Sequence, residues 1–227
     1  MKKIFLLIGF LVFIAGCDEG SLGTQSTVQG GEVLAASDNV KLSYSFVEAG
    51  SDAVILLHQL NSDKSAYARF QQHLKEDGFS SIAIDFRGHG DSGGDWQKFT
   101  EKDFQNMILD AEAAKAFLES KGKKVVGIVG ASIGANIAAQ MNVKFGMKTV
   151  LLSPGLNYRG IDFEGTIPNL RDVLVVVSRE DKYSMETAEK AKKENSNINF
   201  IFLEDRGHGT NMLNEELEEE MAGFVEG

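Results

Sequence analysis

Three side chains in this sequence can together supply a nucleophile, a base and an orienting acid. Ser132 lies in Gly130-Ala131-Ser132-Ile133-Gly134, a G-x-S-x-G run between the apolar stretch 124–129 and a helical pattern. Small residues on either side let a strained strand-to-helix turn form. Such a turn lifts the serine hydroxyl above the sheet and aims the next backbone N–H, that of Ile133, at a developing oxyanion. A serine hydroxyl is a weak nucleophile until a base takes its proton. The chain has four histidines: His58, His73, His89 and His208. Only His208 comes late, in Asp205-Arg206-Gly207-His208-Gly209, directly after the apolar run 199–203. His73 falls inside a helical pattern and reads as a surface residue. A histidine base needs an acid to fix its tautomer and stabilise its charged form. Asp181 follows the run 173–177, in Ser178-Arg179-Glu180-Asp181, with Glu180 beside it as the competitor. Asp162 and Glu164, after the run 149–152, are weaker alternatives.

These residues need a scaffold, and the pattern around them describes one. Short apolar runs occur at 53–57, 81–85, 124–129, 149–152, 173–177 and 199–203. Runs of that length, rich in Val and Ile, suit strands buried on both faces of a parallel sheet. Residues 40–47 alternate in part and read as an early strand paired with 32–36. Phe104, Met107, Ile108, Ala111, Ala114 and Leu118 share one helical face. Thr100 and Asp103 form a capping-box pattern ahead of them. Segments 63–77, 133–145, 184–194 and 211–225 also read as helices. The alternation predicts an α/β domain: a mostly parallel central sheet of about eight strands, flanked by helices. Catalytic groups in such sheets gather on loops at the carboxyl ends of the strands. Ser132, Asp181 and His208 each fall just after a different run.

The order Ser…Asp…His, with these contexts, resembles the α/β-hydrolase superfamily over nearly all of residues 32–225. Two further segments carry the resemblance. His58-Gln59-Leu60 follows the run 53–57 where many members have His-Gly-x. Asp85-Phe86-Arg87-Gly88-His89-Gly90-Asp91-Ser92 matches the D-x-R-G-H-G-x-S loop of the esterase, monoacylglycerol-lipase-like and serine-aminopeptidase-like branches. The resemblance implies Ser132 as nucleophile, His208 as base and then acid, and Asp181 as its orienter, favoured over Glu180 by the family spacing. It implies Leu60 N–H and Ile133 N–H as an oxyanion hole. His58, His89, Arg87 and Asp91 are expected to hold loops. Gln59 departs from the pattern: glycine there permits backbone geometry that a side chain resists.

The N-terminus reads as an address. Lys2 and Lys3 precede a twelve-residue apolar run, Ile4 to Ala15. A membrane-spanning helix needs about 20 residues, so the run fits a signal peptide instead. It ends in Ile14-Ala15-Gly16-Cys17, which resembles the lipobox of bacterial lipoproteins and holds the chain's single cysteine. The expected organisation is a signal peptide over 1–16, then a lipid-anchored Cys17 with a flexible tether over 17–31. A hydrolase domain over 32–227 follows. The expected location is the bacterial cell envelope, with the membrane contacted through the anchor.

Composition sets limits. Net charge is −10 with no offsetting basic stripe, which disfavours nucleic acid, since binding it requires cations to replace counterions. One cysteine excludes an intramolecular disulfide and a thiolate zinc cluster. No segment has metal-ligand spacing or a phosphate-cradling loop, so no metal or cofactor is expected. Only residues 153–172 separate two runs where relatives often carry a cap, so no large cap domain is expected and the site should be open. Tyr158, Phe163 and Tyr183 are candidates for its rim, with core packing as the alternative. The acidic tail, from Glu215 to Glu220, reads as a solvated helix face backed by Leu213, Leu217, Met221 and Phe224. The resulting expectation is a serine hydrolase of carboxylic esters, with a small ester or acyl substrate. Two alternatives stay open: the same triad acting on amides, peptides or thioesters, and a non-catalytic envelope binding protein, which Gln59 favours.

Overall fold

The apolar runs become strands because successive side chains point to opposite faces and both faces are covered. In the strand Asp52–Leu57, Ala53, Ile55 and Leu57 enter one core, while Val54 and Leu56 enter the other. The strand Val173–Ser178 divides the same way, with 173, 175 and 177 against 174 and 176. This computed structural model describes residues 33–227. The apolar leader, Cys17 and the tether lie outside the described residues.

Among the described residues, ten strands form in chain order: β1 (Val33–Ala35), β2 (Lys41–Val47), β3 (Asp52–Leu57), β4 (Ser80–Ile84), β5 (Lys124–Ala131), β6 (Lys148–Leu152), β7 (Asn157–Tyr158), β8 (Ile161–Asp162), β9 (Val173–Ser178) and β10 (Ile198–Leu203). Eight of them make one sheet in the order β1-β2-β4-β3-β5-β6-β9-β10. The pairings from β4 through β10 are parallel, and β1 and β2 pair antiparallel at one edge. The sheet is therefore the α/β-hydrolase arrangement that the sequence implies. Six α-helices among the described residues flank it: α1 (Ala68–Glu76), α2 (Glu101–Gln105), α3 (Ile108–Ser120), α4 (Ile133–Phe145), α5 (Lys182–Glu194) and α6 (Glu215–Glu226). One face packs against residues from α3, α4 and α5, the other against α1 and α6.

The differences from the sequence pattern are local. The single helix expected through 104–118 is two, α2 and α3, meeting at Asn106 and Met107. Its predicted start is right: Thr100 and Asp103 cap each other reciprocally. The segment 63–77 opens with a 3-10 turn (Lys64–Tyr67) before α1. The expected helix 211–225 is a 3-10 turn (Gly209–Met212) and then α6, capped by Asn214. Leu217 and Met221 are buried there as expected. Leu213 and Phe224 are only half-buried, and Ala222 and Val225 complete the buried face. Residues 153–172 form a two-stranded hairpin, β7–β8, and a 3-10 turn (Glu164–Asn169) rather than a cap.

Candidate active site

The turn after β5 is strained and tightly packed. Ser132 has φ 53° and ψ −115°, a conformation that a non-glycine residue adopts at a cost of order 1–3 kcal/mol. The surroundings hold it there. Ser132 N–H donates to Leu152 C=O at 2.8 Å, and its own carbonyl accepts from Ala135 N–H at 2.9 Å. Glycines are needed on both sides for close approach. A Cβ at Gly130 would overlap the carbonyl oxygen of Gly134, and one at Gly134 would lie 2.5 Å from Leu57 O and 2.6 Å from His58 O. The elbow is thus pressed against the loop that leaves β3. Ile133 begins α4, so its N–H belongs to the first-turn donors that a helix cannot satisfy itself. The helix dipole adds partial positive charge at the same place.

The loop after β10 brings His208 to the acid. His208 Nδ1 and Asp181 Oδ2 are 2.6 Å apart. Asp181 is also the N-cap of α5: its Oδ1 accepts from Ser184 N–H at 3.3 Å. Burial pushes its carboxyl up. The hydrogen bonds from Ser184 and His208, with the histidine's charge, outweigh that and hold it below its ordinary value. Glu180 points elsewhere, which decides between the two acids. Its Oε2 accepts from Ser178 Oγ–H and its Oε1 from Gly207 N–H, both at 2.5 Å. The Ser178 bond leads in holding its carboxyl low. Asp162 accepts from Gly165 N–H at 3.2 Å, and Glu164 pairs with Lys190 at 3.1 Å, so neither serves His208.

The backbone around His208 is held by four side chains from three strand ends. Arg206 N–H donates to Ser178 Oγ at 2.8 Å, and Gly207 N–H to Glu180. Gly209 N–H donates to Ser153 Oγ at 3.0 Å, and Thr210 N–H to Gln59 Oε1 at 2.7 Å. A Cβ at Gly209 would sit 3.5 Å from Ala131 Cβ, so the histidine loop lies against the residue next to Ser132. Ser153, Ser178 and Thr210 were not singled out from the sequence. For Ser153 and Ser178 the signal is a small hydroxyl residue at or just after the end of a strand, and Thr210 carries none.

The loop after β3 is fixed by His58, which is fully buried. Its Nε2 accepts from Phe86 N–H at 3.0 Å, so the proton is on Nδ1, which donates to Gln59 C=O at 2.7 Å. A trans peptide points its N–H opposite to its carbonyl. Holding Gln59 C=O toward His58 therefore turns Leu60 N–H the other way. Among the described residues, neither Leu60 N–H nor Ile133 N–H meets a hydrogen-bond acceptor. Burial lowers the His58 pKa from 6.5 to about 4. Between those values the unfolded chain binds more protons than the folded one. The stability from a neutral His58 is thus complete above about pH 6.5 and lost as pH falls toward 4, about 3 kcal/mol in all. Chemical unfolding over that range is expected to show wild type losing more stability than His58→Asn by about that amount. Parallel curves would mean that the ring takes up its proton as readily folded as unfolded.

The Asp85–Ser92 loop is structural, as expected. Buried Asp85 accepts from Lys64 Nζ at 2.7 Å and from Asp91 N–H at 2.9 Å, and Lys64 Nζ also reaches Asp91 at 3.0 Å. Arg87 lies between Asp110 and Asp38, with 2.7 Å contacts to each. Burial pushes Asp110 up to about 6, against the pull of Arg87. His89 stacks on Trp96 with centroids 5.5 Å apart. His73 contacts Asp77 at 3.4 Å, far from this chemistry in role. On the rim, Tyr158 and Tyr183 pack edge to face at 5.6 Å, and Gly155 leaves them room. Burial raises the Tyr158 phenol, and the hydroxyls of Ser184 and Ser132 beside it oppose that. Phe163 is not a rim residue: it is fully buried in the core. Among the described residues, no group of three His, Cys, Asp or Glu side chains is placed to hold a metal ion.

Comparison with known proteins agrees with this architecture. No curated protein matches the chain. Among solved structures, an esterase of Pyrococcus furiosus superposes with a TM-score of 0.71 at 22% identity, covering 87% of this chain and 89% of that one. An esterase of Exiguobacterium antarcticum gives 0.70 at 14% identity, covering 87% and 100%. The Butyrivibrio proteoclasticus protein Est1E, solved with ferulic acid bound, gives 0.70 at 15% identity, covering 86% and 96%. The model of the serine aminopeptidase S33 family matches residues 49–180, more than half of the chain. That span contains Leu60, Ser132 and Ile133 and stops one residue before Asp181. The chain belongs to the serine aminopeptidase S33 family of α/β-hydrolases.

Proposed function

We propose that this hydrolase cleaves small carboxylic esters through an acyl-enzyme on Ser132. The observation that carries the reading is the 2.6 Å His208–Asp181 pair, on a loop packed against the strained Ser132 turn. With Nδ1 bound to Asp181, the lone pair of His208 is on Nε2. As Ser132 Oγ bonds to the ester carbon, Nε2 takes its proton and the carbonyl electrons move to oxygen. Ile133 N–H and Leu60 N–H receive that oxyanion, and each such donor contributes on the order of 3 kcal/mol. Collapse breaks the bond to the alcohol, which leaves with the proton from Nε2. Water, deprotonated by the same nitrogen, repeats the sequence and frees the acid.

Two observations favour esters over aminoacyl amides. A substrate ammonium group needs a free carboxylate, and the four acids weighed for the site already have partners. Asp181 serves His208 and Ser184, Glu180 serves Ser178 and Gly207, Asp162 serves Gly165, and Glu164 pairs with Lys190. The similar solved structures named above include esterases. The open rim and the Tyr158–Tyr183 edge suit a short or aromatic acyl group. A panel of ester, thioester and aminoacyl anilide with the same acyl group tests this. The ester is expected to lead the anilide in kcat/KM by at least about tenfold, or about 1.4 kcal/mol. An anilide preference would overturn the ester reading while leaving the triad in place.

A further inference from the structure

Gln59 stands where the family resemblance implies glycine, and its surroundings show what the larger side chain does. Its Oε1 accepts from Thr210 N–H at 2.7 Å and from Thr210 Oγ1–H at 3.2 Å, across 151 residues of sequence. Its main-chain carbonyl is held at the same time by His58 Nδ1–H at 2.7 Å. One residue is therefore fixed at both ends, by the loop after β3 and by the loop that carries His208. Space has been made for it. Gly209 has φ +60°, and any Cβ there would overlap Gln59 Oε1. Glycine at 209 and glutamine at 59 fit as a pair.

We infer that Gln59 is a positioning residue, tying the His208 loop to the peptide that presents Leu60 N–H. The base and half of the oxyanion hole belong to loops far apart in sequence, and productive geometry requires both at once. Of the four side chains that hold the backbone beside His208, Ser178 and Glu180 come from the β9 end and Ser153 from the β6 end. Only Gln59 comes from the loop of the oxyanion donor. A glycine at 59 would leave Thr210 N–H without that acceptor and the two loops free to shift against each other. A misplacement on the order of 1 Å at such a site costs up to about 100-fold in rate.

The inference rests on the Ser132–His208–Asp181 reading, and the test separates the two. Wild type, Gln59→Met, Gln59→Gly and Ser132→Ala are assayed on one activated ester and titrated with a fluorophosphonate. Thermal unfolding and the downfield proton signal of the His208–Asp181 hydrogen bond are recorded for each. Methionine keeps the length of glutamine without its acceptor oxygen, and glycine removes the side chain without crowding. Both are expected to lower kcat and the labelling rate by about 10- to 100-fold, with KM within about twofold. The His208 proton signal is expected to broaden or shift in both. A folded variant of either kind that keeps wild-type kcat and an unchanged proton signal overturns the inference. Wild type that forms no adduct, or Ser132→Ala that still forms one, overturns the triad reading instead.

Discussion

Ser132→Ala is expected to lower ester turnover by roughly 10⁴- to 10⁶-fold while leaving the fold intact. The loss is large because Oγ is the atom that takes the acyl group in the proposed mechanism. Water would have to attack directly, helped only by the oxyanion donors and by substrate binding. The fold should tolerate the change for a local reason. The Ser132 side chain makes no capping hydrogen bond to α4, and the strained turn is held by main-chain bonds from 132 to Leu152, Ala135 and Asn136. Alanine meets the same backbone cost as serine at φ 53°. Intact-mass analysis after fluorophosphonate treatment is expected to show one adduct on wild type and none on the variant, with thermal midpoints within a few degrees. Turnover in the variant within tenfold of wild type would remove Ser132 from the mechanism.

Asp181→Asn is expected to lower kcat by about 10³- to 10⁴-fold. A carboxylate has two acceptor oxygens, and both are in use: Oδ1 caps α5 through Ser184 N–H and Oδ2 holds His208 Nδ1. An asparagine has one acceptor and one donor group. It can cap the helix and turn its NH₂ toward His208, which forces the proton onto Nε2 and blocks that nitrogen as a base. Alternatively it can serve His208 and leave the cap unmade, at about 1 kcal/mol. Either way the negative charge that stabilises the imidazolium is gone. Steady-state kinetics beside thermal unfolding separates the two arrangements, since only the second also loses the helix cap. Glu180→Gln is the comparator. It touches the backbone at Gly207 and not the imidazole, so a loss below about tenfold is expected. Equal losses in the two variants would reverse the assignment of the acid.

Much of this protein can be read from its sequence because the relevant signals are local. Each strand of the parallel sheet is buried on both faces, so each appears as a short apolar run bounded by polar residues. The runs at 53–57, 124–129, 173–177 and 199–203 coincide with β3, β5, β9 and β10 to within two residues. The proposed catalytic residues Ser132, Asp181 and His208 then fall just after such runs, and the loop-holding His58 just after another. The capping box at Thr100 and Asp103 is legible for the same reason, since its partners are three residues apart.

What the sequence could not decide depends on partners distant along the chain. Glu180 and Asp181 are adjacent; family spacing favours Asp181, but residue type alone does not separate them. The start of α5 does, because the N-cap position turns Asp181 toward His208 and leaves Glu180 facing Ser178 and Gly207. Phe163 is a rim candidate by sequence, with core packing as the plainer reading, and the structure buries it in the core. The break between α2 and α3 lies within an unbroken helical pattern, so periodicity does not reveal it. Gln59 is the clearest case. By itself it reads as a departure that threatens the oxyanion loop, yet its oxygen meets Thr210, 151 residues away, in a space that Gly209 leaves open. Local sequence determined where strands end and which residue types stand there. Only the packing of those strand ends against one another decided which donor meets which acceptor, because hydrogen bonds are set by distance and direction in space.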